Sequence, residues 1–500
     1  MLVNHCGEIL AIGKKAIDPY FSEQPGWAEQ HPACFENAIR EACQQLWAVT
    51  DIDPATVAAV TLTTQRGTVV NVDVEGRPLR PAIIWLDQRR TPPADEMPVH
   101  WRVLFKTLKL EALVTTFREK AQINWIKANQ PEIWDKTHKF LLLSGYLSWV
   151  LTGNFVDSVG AQVGYIPFDF RKQDWATGFD WKWSALEIRK DMLPDLVQPG
   201  SSLGVLCDRG AALLGLPEGI PVIAAAADKA CEVMGSGGLG PETACLSYGT
   251  TATVNTVTSR YLEAVPMIPP YPAAIPGLWN TEIMIYRGFW MVSWFKEQFA
   301  HPEKSEAERL GIEPENLFDD LVNSVPPGSM GLMLQPYWSP GVREPGPEAK
   351  GAVIGFGDVH TRAHLYRAIL EGLAYALREG KERIEKRSGT RIRRVIVSGG
   401  GSRSDAAMQL TADIFGMPVS RPDTHETSGL GAAICAFVGL GVYPDFSTAV
   451  NAMTRTGRVF NPTEAATALY DRLYRRVYLR MYRQLKPLYQ EIRTITGYPA

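Results

Sequence analysis

Residues 222–251 read VIAAAADKACEVMGSGGLGPETACLSYGTT. A short uncharged run, residues 222–227, follows Pro221 and ends abruptly in Asp228. Its length and lack of polar residues predict a buried strand. An α/β sheet places its ligand chemistry at the carboxyl ends of its strands, and a carboxylate stands at that end here. A segment of small residues comes next. A second apolar strand, residues 243–246, then runs into Tyr248, Gly249, Thr250 and Thr251. A glycine with two hydroxyls predicts a tight hairpin whose N–H and O–H groups can meet phosphate oxygens. Taken alone, Asp228 serves equally well as a helix N-cap, and Gly249 as an ordinary turn.

A third stretch weighs against those plainer readings. Residues 395–441 read VIVSGGGSRSDAAMQLTADIFGMPVSRPDTHETSGLGAAICAFVGLG. A β-branched strand at 395–397 meets Gly399, Gly400 and Gly401, and a helix then opens with Ser402 or Ser404 as its N-cap. Glycines between strand and helix let the backbone come close to a flat or anionic ligand, with the helix N-terminus facing it. Many βα turns hold a glycine triplet. More specific is the fixed order of Gln409, Ala412-Asp413, Gly416, Pro418-Val419, Glu426 and Gly431-Ala432-Ala433 that follows.

With all three stretches in view, the chain resembles the FGGY family of carbohydrate kinases. GGGSRSDAAMQLTADIFGMPV and GLGAAICAFVGLG resemble that family's adenosine-binding segment. AAAADKACEVMGSG resembles its catalytic-aspartate segment, and LSYGTT its phosphate hairpin. The likeness runs from about Gly7 to the C-terminal helices. It implies an α/β fold of two RNase H-like domains of the actin/hexokinase type flanking a cleft. Residues 1–240 would form a sugar-binding domain and residues 241–500 a nucleotide-binding domain, with the boundary at 237–242. The implied reaction is ATP-dependent phosphorylation of a sugar or polyol hydroxyl, on a ketose such as a pentulose or on a polyol. Such chemistry asks a protein for positioning, charge neutralisation and a base. The resemblance gives Asp228 the base role and sets Gly249, Thr250 and Thr251 around the transferring phosphate. Gly400, Gly401 and Ser404 would cradle the adenosine. Mg²⁺ would bridge the phosphates, held mostly by water and oxygen, and no metal-ligand set is assigned to the protein. Closing of the two domains would exclude water.

The acceptor side is read from residues 57–90, which predict three strands with a turn at 75–78. Gln65 and Arg66 stand at a strand end between apolar flanks, and an arginine beside an amide makes a good hydrogen-bonding set for sugar hydroxyls. The family's glycerol kinases carry Gln-Arg-Glu here, whereas this chain has Gly67 in place of the acid. That departure argues against glycerol and leaves room for a larger substrate. Trp85 and Asp87 also match the family pattern. Trp85 either stacks on the apolar face of a sugar or packs in the core.

One family feature is missing at the front. Members begin with a strand carrying an aspartate, a glycine and a threonine near the phosphates and the magnesium. No Asp-x-Gly-Thr lies in residues 1–30, and Met1 falls where the second strand should already be under way. The expectation is a mis-assigned start, ahead of a truly shortened gene, because losing an internal strand leaves backbone groups unpaired. Two other classes stay in view. A binding protein that keeps sugar or nucleotide affinity without transfer would fit the missing strand, and an actin-like ATPase is disfavoured by Gln65, Arg66 and Trp85.

Composition is ordinary for a globular chain: 500 residues, 45% hydrophobic, 21% charged and a net charge of −3. That balance makes no case for nucleic acid or an anionic membrane. Seven cysteines without CxxC spacing predict neither a zinc site nor a disulfide framework. No apolar run approaches the ~20 residues of a membrane span, and no signal peptide is visible, so a cytoplasmic location is expected. The expected partner is a small sugar or polyol, with a homodimer as the prior for assembly.

Elsewhere, Phe35, Ile39, Leu46 and Trp47 predict a helix face, and residues 100–150 are helical by pattern. IPPYPAAIPG, residues 268–277, predicts a loop of the C-terminal domain. A strand at 332–336 and a turn at Arg343-Glu344-Pro345 resemble the family's loop beside the nucleotide. Residues 360–389 predict a long amphipathic helix on Leu365, Ile369, Leu373, Leu377 and Ile384, with its charges forming a solvated face and Gly389 as C-cap. The tail 465–493 predicts another helix.

Overall fold

Val60–Leu62 and Pro221–Ala224 lie side by side and parallel, with Val222 opposite Val60 and Ala224 opposite Leu62. Ser202–Val205 runs antiparallel on the other side of Pro221–Ala224. Because the two parallel strands end together, residues 63–66 and 225–228 leave the sheet at the same edge. The computed structural model describes residues 1–341 and 345–498. The chain divides into two units, the first made of Met1–Gly235, Tyr271–Trp279 and Ser428–Met453, the second of the rest of the described chain.

In the first unit a second sheet is ordered Glu29–Gln30, Ala82–Ile83, Val69–Val72 and Lys139–Leu142. Lys139–Leu142 corrects the helical reading of residues 100–150. Its side chains from Phe140 to Leu142 are buried, and it pairs antiparallel with Val69–Val72 before the helix Leu143–Thr152 begins. A run of four apolar residues suits either element, and here cross-strand pairing decided between them. Leu2–Val3 and Ile9–Ala11 form a hairpin of their own. Among the described residues, Val60–Leu62 is paired on one side, to Pro221–Ala224.

The proline-rich stretch expected as a loop of the C-terminal domain also departs from expectation, since Tyr271–Trp279 belongs to the first unit. Gln173 Nε2 donates to Leu278 O at 2.7 Å, and Trp279 Nε1 donates to Phe170 O at 2.6 Å. Tyr271, Ala273 and Ala274 are buried there. Burying these side chains while satisfying the flanking polar groups outweighs nearness along the chain.

The second unit is built on a sheet in which Trp279–Ile285, Ala252–Thr258, Thr243–Tyr248, Arg394–Ser398, Val419–Pro422 and Thr456–Phe460 follow in that order. Thr243–Tyr248 is antiparallel to Ala252–Thr258 and parallel to Arg394–Ser398. The long helix Arg362–Ser388 opens on a capping box at Thr361 and ends at Gly389, whose φ of 72° is left-handed. Its central charges are not the solvated face that was expected. Arg367, Glu371 and Arg378 are buried. Arg367 pairs with Glu371 at 2.8 Å and donates to Tyr470 Oη, and Arg378 pairs with Asp471 at 2.5 Å. The C-terminal helix Glu464–Leu473 supplies both Tyr470 and Asp471, so packing of the tail turned an outer face into a paired interior one. Of the turn expected at Arg343-Glu344-Pro345, Arg343 and Glu344 lie outside the described residues. Among the described residues no helix is long and apolar enough to cross a membrane.

Candidate active site

The first unit carries an acid at a strand end. Asp228 opens the helix Asp228–Gly235, and its Oδ1 accepts a hydrogen bond from its neighbour's amide, Lys229 N, at 2.7 Å. Each step of the turn leading to it is held. Ser158 Oγ donates to Ala225 O, Thr63 Oγ1 donates to Ala226 O at 2.8 Å, and Ala227 N donates to Gly160 O at 3.0 Å. Asp228 N donates to Thr64 O at 3.0 Å, and Ser428 Oγ donates to Asp228 O at 3.2 Å. Burial pushes the Asp228 carboxyl above the usual carboxylate range, while the positive charges of Arg66 and Lys229 pull against that. A half-buried carboxylate of raised affinity for protons, fixed by its backbone, suits proton abstraction from an alcohol.

Sequence reasoning singled out Asp228, Gln65 and Arg66 but gave no sign of the residues that hold the turn before Asp228. Ser158 and Gly160 come from a turn about 70 residues upstream, placed by the pairing of Val156–Ser158 with Asp195–Val197. The carboxyl of Asp157 is buried beneath that turn and accepts from Ser144 Oγ at 2.8 Å, Gln162 Nε2 at 2.8 Å and Ser158 N at 2.7 Å. Burial pushes it up to about 6.

The residues read as sugar-binding fall into two environments. Gln65 is anchored, its Nε2 donating to Thr68 Oγ1 at 2.8 Å. The Arg66 guanidinium lies 4.8 Å from the centroid of the Tyr271 ring. Trp85 is 46% exposed, so it is a surface ring and not a core one. Gly67 has a φ of 69°, and a Cβ built there would meet only Trp85 Cβ, at 3.9 Å. The backbone at 67 thus leaves open space beside Trp85.

In the second unit the hairpin loop, residues 249–251, joins Thr243–Tyr248 to Ala252–Thr258. Gly249 O accepts from Phe289 N at 3.0 Å, Thr250 O from Trp290 N at 3.3 Å, and Thr251 Oγ1 donates to Tyr286 O at 3.3 Å. These bonds hold the loop by two of its carbonyls and the Thr251 hydroxyl. Thr250 is exposed. Because Ser247 pairs in parallel register with Ser398, the loop and the glycine triplet leave the sheet at the same end. Gly399 has a φ of 85° and presses on Tyr248, where an added Cβ would lie 2.9 Å from Tyr248 O. Gly400 has nothing within 4 Å of its Cβ position, and Gly401 rests on the Phe289 ring. Phe289 in turn stacks on Tyr248, ring centroids 4.3 Å apart. Ser404 is the N-cap of Asp405–Phe415, accepting from Ala407 N at 3.0 Å and donating to Asp319. Its hydroxyl is therefore already engaged, and the open positions of this seat are backbone ones at Gly400.

A sheet with an acid at one strand end and, in the other unit, a hairpin and glycine turn at theirs defines a two-domain phosphotransferase of the actin/hexokinase-like class. Family models for the N-terminal and C-terminal domains of the FGGY family of carbohydrate kinases match residues 1–235 and 244–440. The chain belongs to that family and is a carbohydrate kinase, phosphorylating a sugar at the expense of ATP. It is 34% identical over 339 residues to the uncharacterized sugar kinase YgcE of Escherichia coli, covering 66% of this chain and 67% of that one. It is 27% identical to a xylulose kinase of Staphylococcus epidermidis, over 99% of this chain and 96% of the relative. Among solved structures, a xylulose kinase from Rhodospirillum rubrum matches with a TM-score of 0.77 and 26% identity, covering 94% of this chain and 93% of that one.

Proposed function

We propose that this kinase phosphorylates a ketose of about pentulose size, with Asp228 as the general base. The supporting observation is the placement of the Asp228 carboxylate, with Arg66, at the common end of two parallel strands. Asp228 accepts the hydroxyl proton as that oxygen attacks the γ-phosphorus and the bond to the leaving ADP oxygen breaks. Gln65 and Arg66 bind sugar hydroxyls, and Trp85 covers an apolar face of the ring or chain. On the donor side Gly249, Thr250 and Thr251 hold the transferring phosphate through their N–H groups and the exposed Thr250 hydroxyl. The adenosine rests against the Gly400 and Gly401 backbone, with Ser404 setting the start of the helix below it. The sugar chemistry is assigned to the N-terminal half, residues 1–240, and the nucleotide chemistry to residues 241–500. The space at Gly67 and the full-length likeness to xylulose kinases favour a pentulose over glycerol.

Among the described residues no group of three or more His, Cys, Asp and Glu side chains is placed to hold a metal. Mg²⁺ in phosphoryl transfer takes most of its ligands from phosphate oxygens and water. In this reading the ion would arrive with the nucleotide and would supply charge neutralisation there. A cytoplasmic homodimer is part of the same proposal.

The test is a coupled ADP-release assay over pentuloses, hexuloses and tetritols, run on wild type and Asp228→Asn. Turnover in the variant is expected to fall by about 10²- to 10⁴-fold, with sugar affinity nearly intact. Near-wild-type turnover would remove Asp228 from the base role.

A further inference from the structure

We propose that Tyr271 is a positioning residue of the acceptor site: its ring carries the Arg66 guanidinium and keeps that charge beside the Asp228 carboxylate. This deepens the proposed function and rests on its reading of Asp228 as the base. Three observations support it. First, the segment Tyr271–Trp279 leaves the sequence of the second unit to join the first, and it is stapled there. Its own turn closes through Ala273 N donating to Leu278 O at 3.0 Å and Leu278 N donating to Ile275 O at 3.2 Å. Gln173 Nε2 and Trp279 Nε1 tie its far end to residues 169–174 and their flank, at 2.7 and 2.6 Å. Second, Tyr271 is only 4% exposed, so its ring is a fixed platform, and the Arg66 guanidinium sits 4.8 Å from its centroid. An arginine has several rotatable bonds, and a flat aromatic face suits its delocalised planar cation.

Third, Arg66 and Asp228 follow two parallel strands that end in register, and the Arg66 charge opposes the rise that burial imposes on the carboxyl. The groups facing that carboxylate are Arg66 from the segment after Val60–Leu62, and Lys229, Glu232 and Cys231 from its own helix. Lys229 is turned toward Glu232, to which its Nζ bonds at 2.5 Å. That leaves Arg66 as the cation whose position a distant residue can set. Apart from the Tyr271 hydroxyl, the segment Tyr271–Trp279 carries no titratable side chain, and Tyr271→Phe separates the effect of that hydroxyl from that of the ring.

The experiment is the pH profile of kcat/KM for the sugar, measured on full-length wild type, Tyr271→Phe, Tyr271→Leu, Arg66→Met and the Tyr271→Leu/Arg66→Met double variant. The acid limb reports the base in the free enzyme. In Tyr271→Leu the guanidinium is released, and the limb is expected to move to higher pH by about half to one unit. Tyr271→Phe keeps the ring and should keep the limb where wild type has it. The double variant should show the limb of Arg66→Met, because a lost platform changes nothing once the charge is gone. A limb in Tyr271→Leu that superimposes on wild type, or one in the double variant displaced beyond Arg66→Met, would overturn the inference. Arg66→Lys keeps the test alive should Tyr271→Leu fail to fold. It retains charge but not the flat stacking surface, and its limb is expected between wild type and Arg66→Met, while coincidence with wild type overturns the proposal. Sustained turnover in Asp228→Asn would remove the base reading and this inference together. An inactive Asp228→Asn with an unmoved Tyr271→Leu limb removes this inference alone.

Discussion

Two of the turns that lead from a strand into a helix in this protein are built on opposite principles. The turn from Pro221–Ala224 into Asp228–Gly235 is made of three alanines whose backbone groups are bonded by Ser158, Thr63 and Gly160, while Thr64 bonds the Asp228 amide. It presents one charge, held still. The turn from Arg394–Ser398 into Asp405–Phe415 opens with three glycines and leaves open space at Gly400. Its glycines present backbone alone, and its one charge, on the exposed Arg403, comes after them. The difference matches two chemical tasks. A base must sit at a fixed place in a tuned environment, whereas a seat for a flat ring and phosphates needs close approach of N–H groups.

The comparison is sharpened most by Gly399→Ala. That position combines a left-handed φ with a clash against the Tyr248 backbone, so the variant is expected to lose about 1–3 kcal/mol of stability. Denaturant unfolding would measure it, and a loss within error would mean that this turn is not strained as described. Ser158→Ala probes the bonded turn. It strips the donor from the Ala225 carbonyl, and a cost of about 1 kcal/mol is expected by the same measurement. An unchanged midpoint would break the claim that the acid's turn depends on its side-chain clamps. Gly400→Ala should have the smallest effect on the fold, within about 0.5 kcal/mol, since nothing stands near its Cβ position. Its consequence should appear in nucleotide binding, as a KM for ATP raised about tenfold. An unaltered KM would place the adenosine elsewhere.

Much of both turns was legible in the residues. The run 395–397 lies within Arg394–Ser398, and of the two cap candidates Ser402 and Ser404 it is Ser404 that caps the helix, whereas the strand expected over 222–227 ends at Ala224 because its last three alanines turn toward side-chain and backbone partners. Gly67 signalled space by the absence of a side chain. What could not be read depends on pairing over distance. Lys139–Leu142 looked helical until its partner Val69–Val72 was known. The charges of Arg362–Ser388 looked solvated until Tyr470 and Asp471 were brought against them. Ser158, Gly160 and Tyr271 carry no local mark, because an isolated serine, glycine or tyrosine in a turn is common. Their roles come from the sheet edges and stapled segment that deliver them.

The first unit is assembled from three separated pieces, and this orders events during synthesis. Ser428–Met453 is inserted so closely that a Cβ on Gly431 would meet the Cys231 carbonyl, and one on Gly439 the Gly200 carbonyl. A nascent chain that has reached residue 240 therefore holds the acid-bearing helix with part of its covering still unmade. Residues up to Met453 must emerge from the ribosome before that apolar surface is sealed. The half that begins first is finished late, and cellular holdases have a long interval in which to bind it.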